Sequence, residues 1–398
     1  MTRVLMVSSL WPPAAIGGAE LYAARLADEL RARGHDVGVV TLGVPGDDVV
    51  AQVQPWPYRL DAWAAQPRWK RAAFQGADVY RRSTTAALRT AITTFRPDVV
   101  HTHALQGLST SALVAPGDTP HVHSLHDYWL LCRRTTLRTR SGRPCRRTST
   151  CGLVSALGRA ALARGGPDVY LAPSQAVAGH HACLRRVAAR LRVVRHPSDP
   201  APARSPGGTR QPGVTFGYLG QLTDIKGVPT LLAAFQAFRA GAAGSSVAGA
   251  EPRLVVAGTG PLQEQVARNG AGVEALGWVD PPARERFFAS IDCLVVPSVW
   301  DEPAGLVVGE AAARGVPVIA SAVGGIPDYL APSSRPLLVP AGDAAALAAA
   351  MAAVAAEPAA WAGSTARHLP TWDQHIGEVM DAYDTARATA SARLGRPA

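Results

Sequence analysis

"SVWDEPAGLVVGEAAARGVPVIAS", Ser298–Ser321, carries two acids eight residues apart, Glu302 and Glu310, with Gly305 between them. The apolar run just before it, Cys293–Pro297, reads as a strand, and Pro317–Ser321 reads as the next one. Pro303 disfavours helical backbone at Glu302 and suits the first turn of a helix. That helix runs from about Gly305 to Ala313. Strand, acid-bearing loop, helix and strand make one βαβ unit, the building block of parallel sheets. The N–H groups of Gly305 and Leu306 at the helix start suit a diphosphate. Glu310 lies more than a turn further in, where a carboxylate accepts hydrogen bonds from a ribose diol. Eight helical residues span ~12 Å, whereas the two carboxyls of a glycosidase sit ~5–9.5 Å apart. The acids therefore read as hydroxyl-binding groups on either side of an anion site.

The same alternation extends in both directions. Strand-like runs recur at Arg3–Ser9, Asp36–Leu42, Asp98–His103, His121–Leu125, Val169–Pro173 and Leu191–Arg195. They resume at Val214–Leu219, Arg253–Gly258, Val273–Leu276 and Leu337–Pro340. Between the two sets lies "RHPSDPAPARSPGGTRQPG", Arg195–Gly213, whose Pro, Gly and Ser content is that of a linker. The fold class predicted is α/β, with two doubly wound domains joined near residue 200 and facing a central cleft. Such sheets bind ligands at the carboxyl ends of their strands.

Composition narrows the class. The 398 residues are 47% apolar and 18% charged, enough for two cores and unlike a disordered chain. No apolar run reaches the ~20 residues of a membrane span, and Met1–Val7 lacks a secretory pattern, so the expected location is cytoplasmic. The net charge is +10, carried almost entirely by Arg, since Lys occurs only at Lys70 and Lys226. The odd number of cysteines, five, argues against a disulfide framework.

Several loops after strands carry chemistry. Gly17 and Gly18 lie between the first strand and the first helix, where backbone N–H groups can approach an anion. "HVHSLHDYW" places His126 and Asp127 after the fourth of the strand-like runs, where a His can donate to a sugar hydroxyl or carry a proton. "GYLGQLTDIKG", Gly217–Gly227, sets Lys226 on a glycine-bearing loop, placed to neutralise a phosphate. Apart from Lys70 the other basic residues of the chain are Arg, which sets Lys226 apart.

"CRRTTLRTRSGRPCRRTSTC", Cys132–Cys151, holds seven Arg within Arg133–Arg147. It reads as a solvated basic loop, as a lip for an anionic acceptor, or as peripheral contact with a membrane's inner face. Asp127, Arg133 and Arg134 are its acceptor-side candidates. Zinc on Cys132, Cys145 and Cys151 is a further reading, although no C-x2–4-C pair is present. Nothing in the chain points to nucleic acid.

These motifs together resemble the retaining glycosyltransferases of glycosyltransferase family 4, with the GT-B fold. The matching segments are "GGAE", "LHD", "GQLTDIKG", "AGTGPL", "LGWVD", "EPAGLVVGEAAARGVPVIAS" and "VGGIPD", in order along most of the chain. The final "TWDQHIGEVMDAY" resembles the family's last helix, which crosses back to the first domain. The resemblance implies an acceptor-binding domain at 1–195, a linker at 196–213, a nucleotide-sugar domain at 214–370 and a returning helix at 371–398. It implies transfer from a UDP- or GDP-sugar to a hydroxyl of a small-molecule, lipid or polysaccharide acceptor, with no metal and no cofactor. Lys226 would bind the donor diphosphate, Glu302 the sugar hydroxyls and Glu310 the ribose. Gly305 and Leu306 would meet the phosphate, His126 would lie near the reacting carbon, and Gly17 and Gly18 would close over the phosphates. Many members carry Arg where this chain has Gln221, which donates a hydrogen bond but no charge. The alternatives are a nucleotide-sugar epimerase and a catalytically silent homologue acting as a binding partner.

Overall fold

The computed structural model describes residues 1–14, 17–43, 46–57, 66–132, 134–139, 144–145, 156–158, 160, 162–163, 165–198, 213–242, 251–330, 337–361 and 369–395. They form two compact units. Unit 1 comprises Met1–Leu137, Cys145–Arg195 and Trp372–Ala398; unit 2 comprises Arg138–Pro144 and His196–Thr371.

Unit 1 is built on seven strands: β1 (Arg3–Val7), β2 (Asp36–Leu42), β3 (Val49–Val53), β4 (Val99–Thr102), β5 (His121–Ser124), β6 (Val169–Ala172) and β7 (Leu191–Val193). All pairings are parallel, in the order β3-β2-β1-β4-β5-β6-β7. Helices α1 (Gly18–Ala32), α2 (Arg68–Ala77), α3 (Arg82–Phe95) and α4 (Gln175–His181) fill the crossovers. Unit 2 has six strands: β8 (Thr215–Leu219), β9 (Arg253–Ala257), β10 (Val273–Gly277), β11 (Cys293–Val296), β12 (Val318–Ser321) and β13 (Leu338–Val339). Their order is β10-β9-β8-β11-β12-β13, again parallel. Its main helices are α5 (Val228–Ala242), α6 (Pro281–Ser290), α7 (Leu306–Ala313) and α8 (Ala344–Ala356). The last helix, α9 (Trp372–Arg393), packs on β4, β5, β6 and α1 of unit 1.

The near-continuous apolar strands are explained by burial on both faces. Along β9, Leu254 and Val256 enter one core with Phe216 and Phe235, while Val255 and Ala257 enter the opposite core with Phe287 and Val318. Register is pinned at the amino edge by Asp residues that precede strands. Asp98 accepts the N–H of Arg3 at 2.7 Å, Asp168 that of His121 at 3.0 Å, and Asp292 that of Thr215 at 2.8 Å. The amino edges are thereby closed, and the loops that carry Gly17, His126, Lys226 and Glu302 all lie at carboxyl ends.

Strand β3 escaped the sequence reading because "VVAQV" is short and sits at the sheet's border. "GDD" before it, Gly46–Asp48, leads into β3 through a turn. The Ala-rich stretch Ala344–Ala356 forms α8, followed after a break by the single turn Pro358–Trp361.

Candidate functional site

In unit 2 two loops meet at the carboxyl edge. The loop after β8 turns back through a short 3-10 segment, Asp224–Lys226, and the loop after β11 carries Ser298–Pro303. Val299 N–H donates to Ile225 O at 2.9 Å. Gly227, at φ 75°, presses so close that an added Cβ would sit 1.8 Å from Pro297 O. Only glycine satisfies both the left-handed backbone and that contact. The result brings Lys226 and Glu302 together: Nζ donates to Oε1 at 2.7 Å and to Oε2 at 3.0 Å. Ser298 Oγ donates to the same Oε1 at 2.6 Å, and the ammonium lies 5.3 Å from the Trp300 ring centroid.

The Glu302 backbone is held from its other side. Gly325 N–H donates to Glu302 O at 2.6 Å, and Gly324, at φ 53°, would bring a Cβ to 2.3 Å from that oxygen. The "VGGIPD" motif thus acts as a clamp on Glu302. Gly305 caps α7 and packs on Tyr329, so the first N–H groups of that helix follow Glu302 directly. Glu310 sits within α7, 3.3 Å from Arg284 Nη1. Gln221 is exposed, and its carbonyl accepts the Tyr218 hydroxyl at 2.7 Å. Burial, with Glu302 nearby, raises the Tyr218 pKa. Arg138, in the short segment that belongs to unit 2, lies 3.7 Å from Asp301. It is one of the seven arginines of Arg133–Arg147, and the sequence does not single it out from the other six.

In unit 1 strands β4 and β5 and the loops that follow them carry a histidine network. His101 bridges Tyr383 Oη at 2.8 Å and Ser124 Oγ at 2.9 Å. Thr102 Oγ1 lies 2.9 Å from both His121 Nε2 and His123 Nδ1. His103 Nε2 lies 3.3 Å from Met6 Sδ, and His103 Nδ1 lies 3.1 Å from His126 Nε2. A thioether accepts and never donates. His103 therefore carries its proton on Nε2, His126 Nε2–H donates to His103, and the lone pair of His126 is on Nδ1. Burial lowers His126 to about 3, so at neutral pH its ring is an uncharged acceptor and a weak base. Asp127 is pushed the other way by burial, to about 7, while its Oδ1 accepts Trp129 N–H at 2.7 Å. His126 and Asp127 line a small pocket of about 10 Å3 together with His103 and Trp129.

Gly17 precedes α1 in extended backbone, and a Cβ there would meet Glu20 Oε2 at 3.0 Å; Gly18 is the first residue of the helix. Glu20 is buried, and that burial raises its pKa. Arg134 is exposed, while Arg133 and Cys151 lie outside the described residues. Cys132 and Cys145 are both partly exposed. Among the described residues no group of three or more His, Cys, Asp or Glu side chains is arranged to hold a metal ion. Among the same residues no helix is long and apolar enough to cross a membrane.

Asp78 was invisible in sequence. It is buried, and it accepts Gly107 N–H and Trp129 Nε1–H, each at 2.6 Å. An isolated Asp in a loop carries no pattern that would announce these partners.

Residues 16–201 match the family model described as Glycosyltransferase Family 4, and residues 213–357 match Glycosyl transferases group 1. The chain is 30% identical over 370 residues to the 2-deoxystreptamine N-acetyl-D-glucosaminyltransferase of Streptomyces fradiae, covering 85% of this chain and 82% of that one. It is 28% identical over 431 residues to a glycogen synthase of Mycobacterium tuberculosis, covering 98% and 94%. Among solved structures it is similar to sucrose-phosphate synthase of Thermosynechococcus elongatus, with a TM-score of 0.65 at 22% identity, covering 98% and 94%. It is also similar to HepE of Anabaena in complex with UDP-glucose, with a TM-score of 0.59 at 18% identity, covering 99% and 95%. Two parallel-stranded α/β units, both family models and these relatives agree: the chain belongs to the family 4 glycosyltransferases of GT-B fold.

Proposed function

We propose that the protein transfers a sugar, with retention of configuration and without a metal, from a nucleotide-diphosphate sugar to an acceptor hydroxyl. The observation that carries the reading is the Lys226–Glu302 pair beside the start of α7. An ammonium and helix N–H groups at one edge suit a leaving diphosphate. A carboxylate held by Ser298 and clamped by Gly324–Gly325 suits the hydroxyls of the sugar attached to it. Glu310 would take the ribose. With Gln221 uncharged, Arg138 is the cation we assign to assist Lys226.

In the proposed step the bond between the sugar's anomeric carbon and the diphosphate oxygen breaks, and the acceptor oxygen bonds to that carbon on the same face. The departing diphosphate oxygen takes the acceptor's proton. No protein nucleophile is needed, in keeping with His126 as a neutral acceptor. The complex of HepE with UDP-glucose favours a UDP-sugar as the donor to try first.

The test is incubation with UDP-, GDP- and ADP-sugars, with and without EDTA, following nucleotide diphosphate release and the anomeric configuration of the product by NMR. Retained configuration with EDTA-insensitive turnover is expected. An inverted product, or turnover abolished by EDTA and restored by a divalent cation, would refute the reading.

A further inference from the structure

Unit 1 carries an open groove of about 470 Å3 between the Gln54–Trp56 turn at the exit of β3 and the Tyr80–Ser83 start of α3. Two of its lining rings stay in water, Trp56 at 55% exposure and Tyr80 at 58%. Loosely held aromatics would fold back onto the surface; the backbone under these two is fixed. Arg81, only 8% exposed, donates from Nη1 to Gly107 O at 2.6 Å and from Nη2 to Gln54 O at 2.7 Å. Its own N–H donates to Ser111 Oγ at 2.8 Å. Gly43, at φ 65°, would bring a Cβ to 2.8 Å from Pro55, so that turn is packed as well as tethered. Burying a guanidinium is costly unless its N–H groups are matched. Here Nη2 is matched to the Gln54 carbonyl, which ties the turn carrying Trp56 to Arg81, the residue after Tyr80, while Nη1 is matched to Gly107.

We propose that this groove binds a sugar ring of the acceptor, so that the acceptor is a glycan or glycoside; this deepens the nucleotide-sugar reading above and rests on it. The C–H face of a pyranose is apolar and lies on an aromatic ring, while its rim of hydroxyls needs polar partners at the ring's edge. Trp56 and Tyr80 supply the faces, and the exposed Arg82 and Ser83 supply the edge. A lipid tail would want an enclosed apolar channel, and a membrane surface would want a protruding face; this site is a concave groove with Gln54, Arg82 and Ser83 in its lining. Arg82 also disfavours a basic aminosugar in the groove itself.

The groove connects to the candidate acceptor loop within the same unit. Asp78, two residues before Tyr80, accepts Trp129 Nε1–H at 2.6 Å, and Trp129 N–H donates to Asp127 Oδ1 at 2.7 Å. Both the Gln54–Trp56 turn and the His126–Asp127 loop follow carboxyl ends of strands in one sheet. A remote ring seated on Trp56 would thus fix the register of an acceptor whose reacting end extends toward Asp127.

The test presents the full chain to an array of neutral and acidic oligosaccharides, measures solution Kd values for the glycans bound, and repeats them with Trp56→Ala, Tyr80→Ala and Trp56→Phe. Both positions are exposed, and an unchanged circular dichroism spectrum and an unchanged rise in Tm with UDP show that the variants fold. The expected result is glycan binding by the wild type, weakened about tenfold by either Ala substitution and by much less in Trp56→Phe. Three results would overturn the proposal: no glycan bound by the wild type, glycan binding unaffected by the Ala variants, or Ala variants that lose affinity for phosphatidylglycerol vesicles but not for glycans. A wild type whose Tm does not respond to UDP and that turns over no nucleotide-sugar would instead strike the donor reading, whatever the array shows.

Discussion

Both carboxylate oxygens of Glu302 lie within 3.0 Å of the Lys226 ammonium, and the pair joins two loops 76 residues apart in the chain. The Glu302 side chain is 10% exposed and that of Lys226 26%. Removing one partner leaves the other desolvated and poorly matched, which costs more than removing both. We expect Lys226→Met to lose about 2 kcal/mol of stability, and Lys226→Met with Glu302→Gln to lose less than the single variant. Urea unfolding checks this; a double variant no more stable than Lys226→Met would show that the two side chains are not coupled.

The clamp on Glu302 predicts a contrast between two glycines with similar backbone angles. Gly324, at φ 53°, has Glu302 O at 2.3 Å from an added Cβ, whereas Gly34, at φ 80°, has nothing within 4 Å. Gly34→Ala should cost only ~1 kcal/mol, the penalty of a left-handed Cβ. Gly324→Ala should cost ~3 kcal/mol or more, because backbone must move. Thermal unfolding measures both, and equal losses would remove the clamp from the account.

Stability should fall as the pH drops below neutrality. Burial lowers His101 and His123 well below the usual histidine range and lowers His121 to about 3. Between pH 6.5 and about 3 the unfolded chain binds protons at these rings that the folded chain refuses, at up to ~1.4 kcal/mol per pH unit per ring. Asp127 acts with the opposite sign: raised to about 7 by burial, it penalises the folded state as pH climbs from the ordinary carboxyl range to 7. A Tm profile from pH 4 to 8 should therefore flatten on its acid side in His121→Gln and rise on its alkaline side in Asp127→Asn. Parallel profiles for wild type and both variants would contradict these environments.

Much of this architecture was legible in the chain. The alternation of β-branched runs with helical ones announced every strand of the two sheets except β3, whose five residues lie at a border with little flanking signal. The Pro303–Gly305 step announced where α7 begins, to within one residue. What sequence could not supply was the pairing of distant loops. The contact of Lys226 with Glu302 depends on Gly227 lying against Pro297 and Gly324 against Glu302, approaches set by tertiary packing. The histidine network was hidden for a related reason: "HTH" and "HVHS" read as strands, and only the parallel register of β4 with β5 puts Thr102 between His121 and His123.

Glu310 is proposed to hold the ribose and should affect donor binding more than chemistry. Glu310→Gln removes a charged acceptor, worth ~1.5 kcal/mol or about tenfold in nucleotide Kd. Isothermal titration with UDP reads this directly. Arg284→Ala, which removes the neighbour 3.3 Å from Glu310, should change the Kd less. An unchanged Kd in Glu310→Gln would take the ribose away from this residue.

The central claim is that Lys226 stabilises the departing nucleotide diphosphate, and kcat/KM for nucleotide-sugar turnover by wild type and Lys226→Ala tests it most directly. We expect the wild type to release nucleotide diphosphate from at least one nucleotide-sugar, and Lys226→Ala to lose ~2–4 kcal/mol of transition-state stabilisation, a fall of roughly 30- to 1,000-fold in rate. Near wild-type kcat/KM in Lys226→Ala would contradict the account.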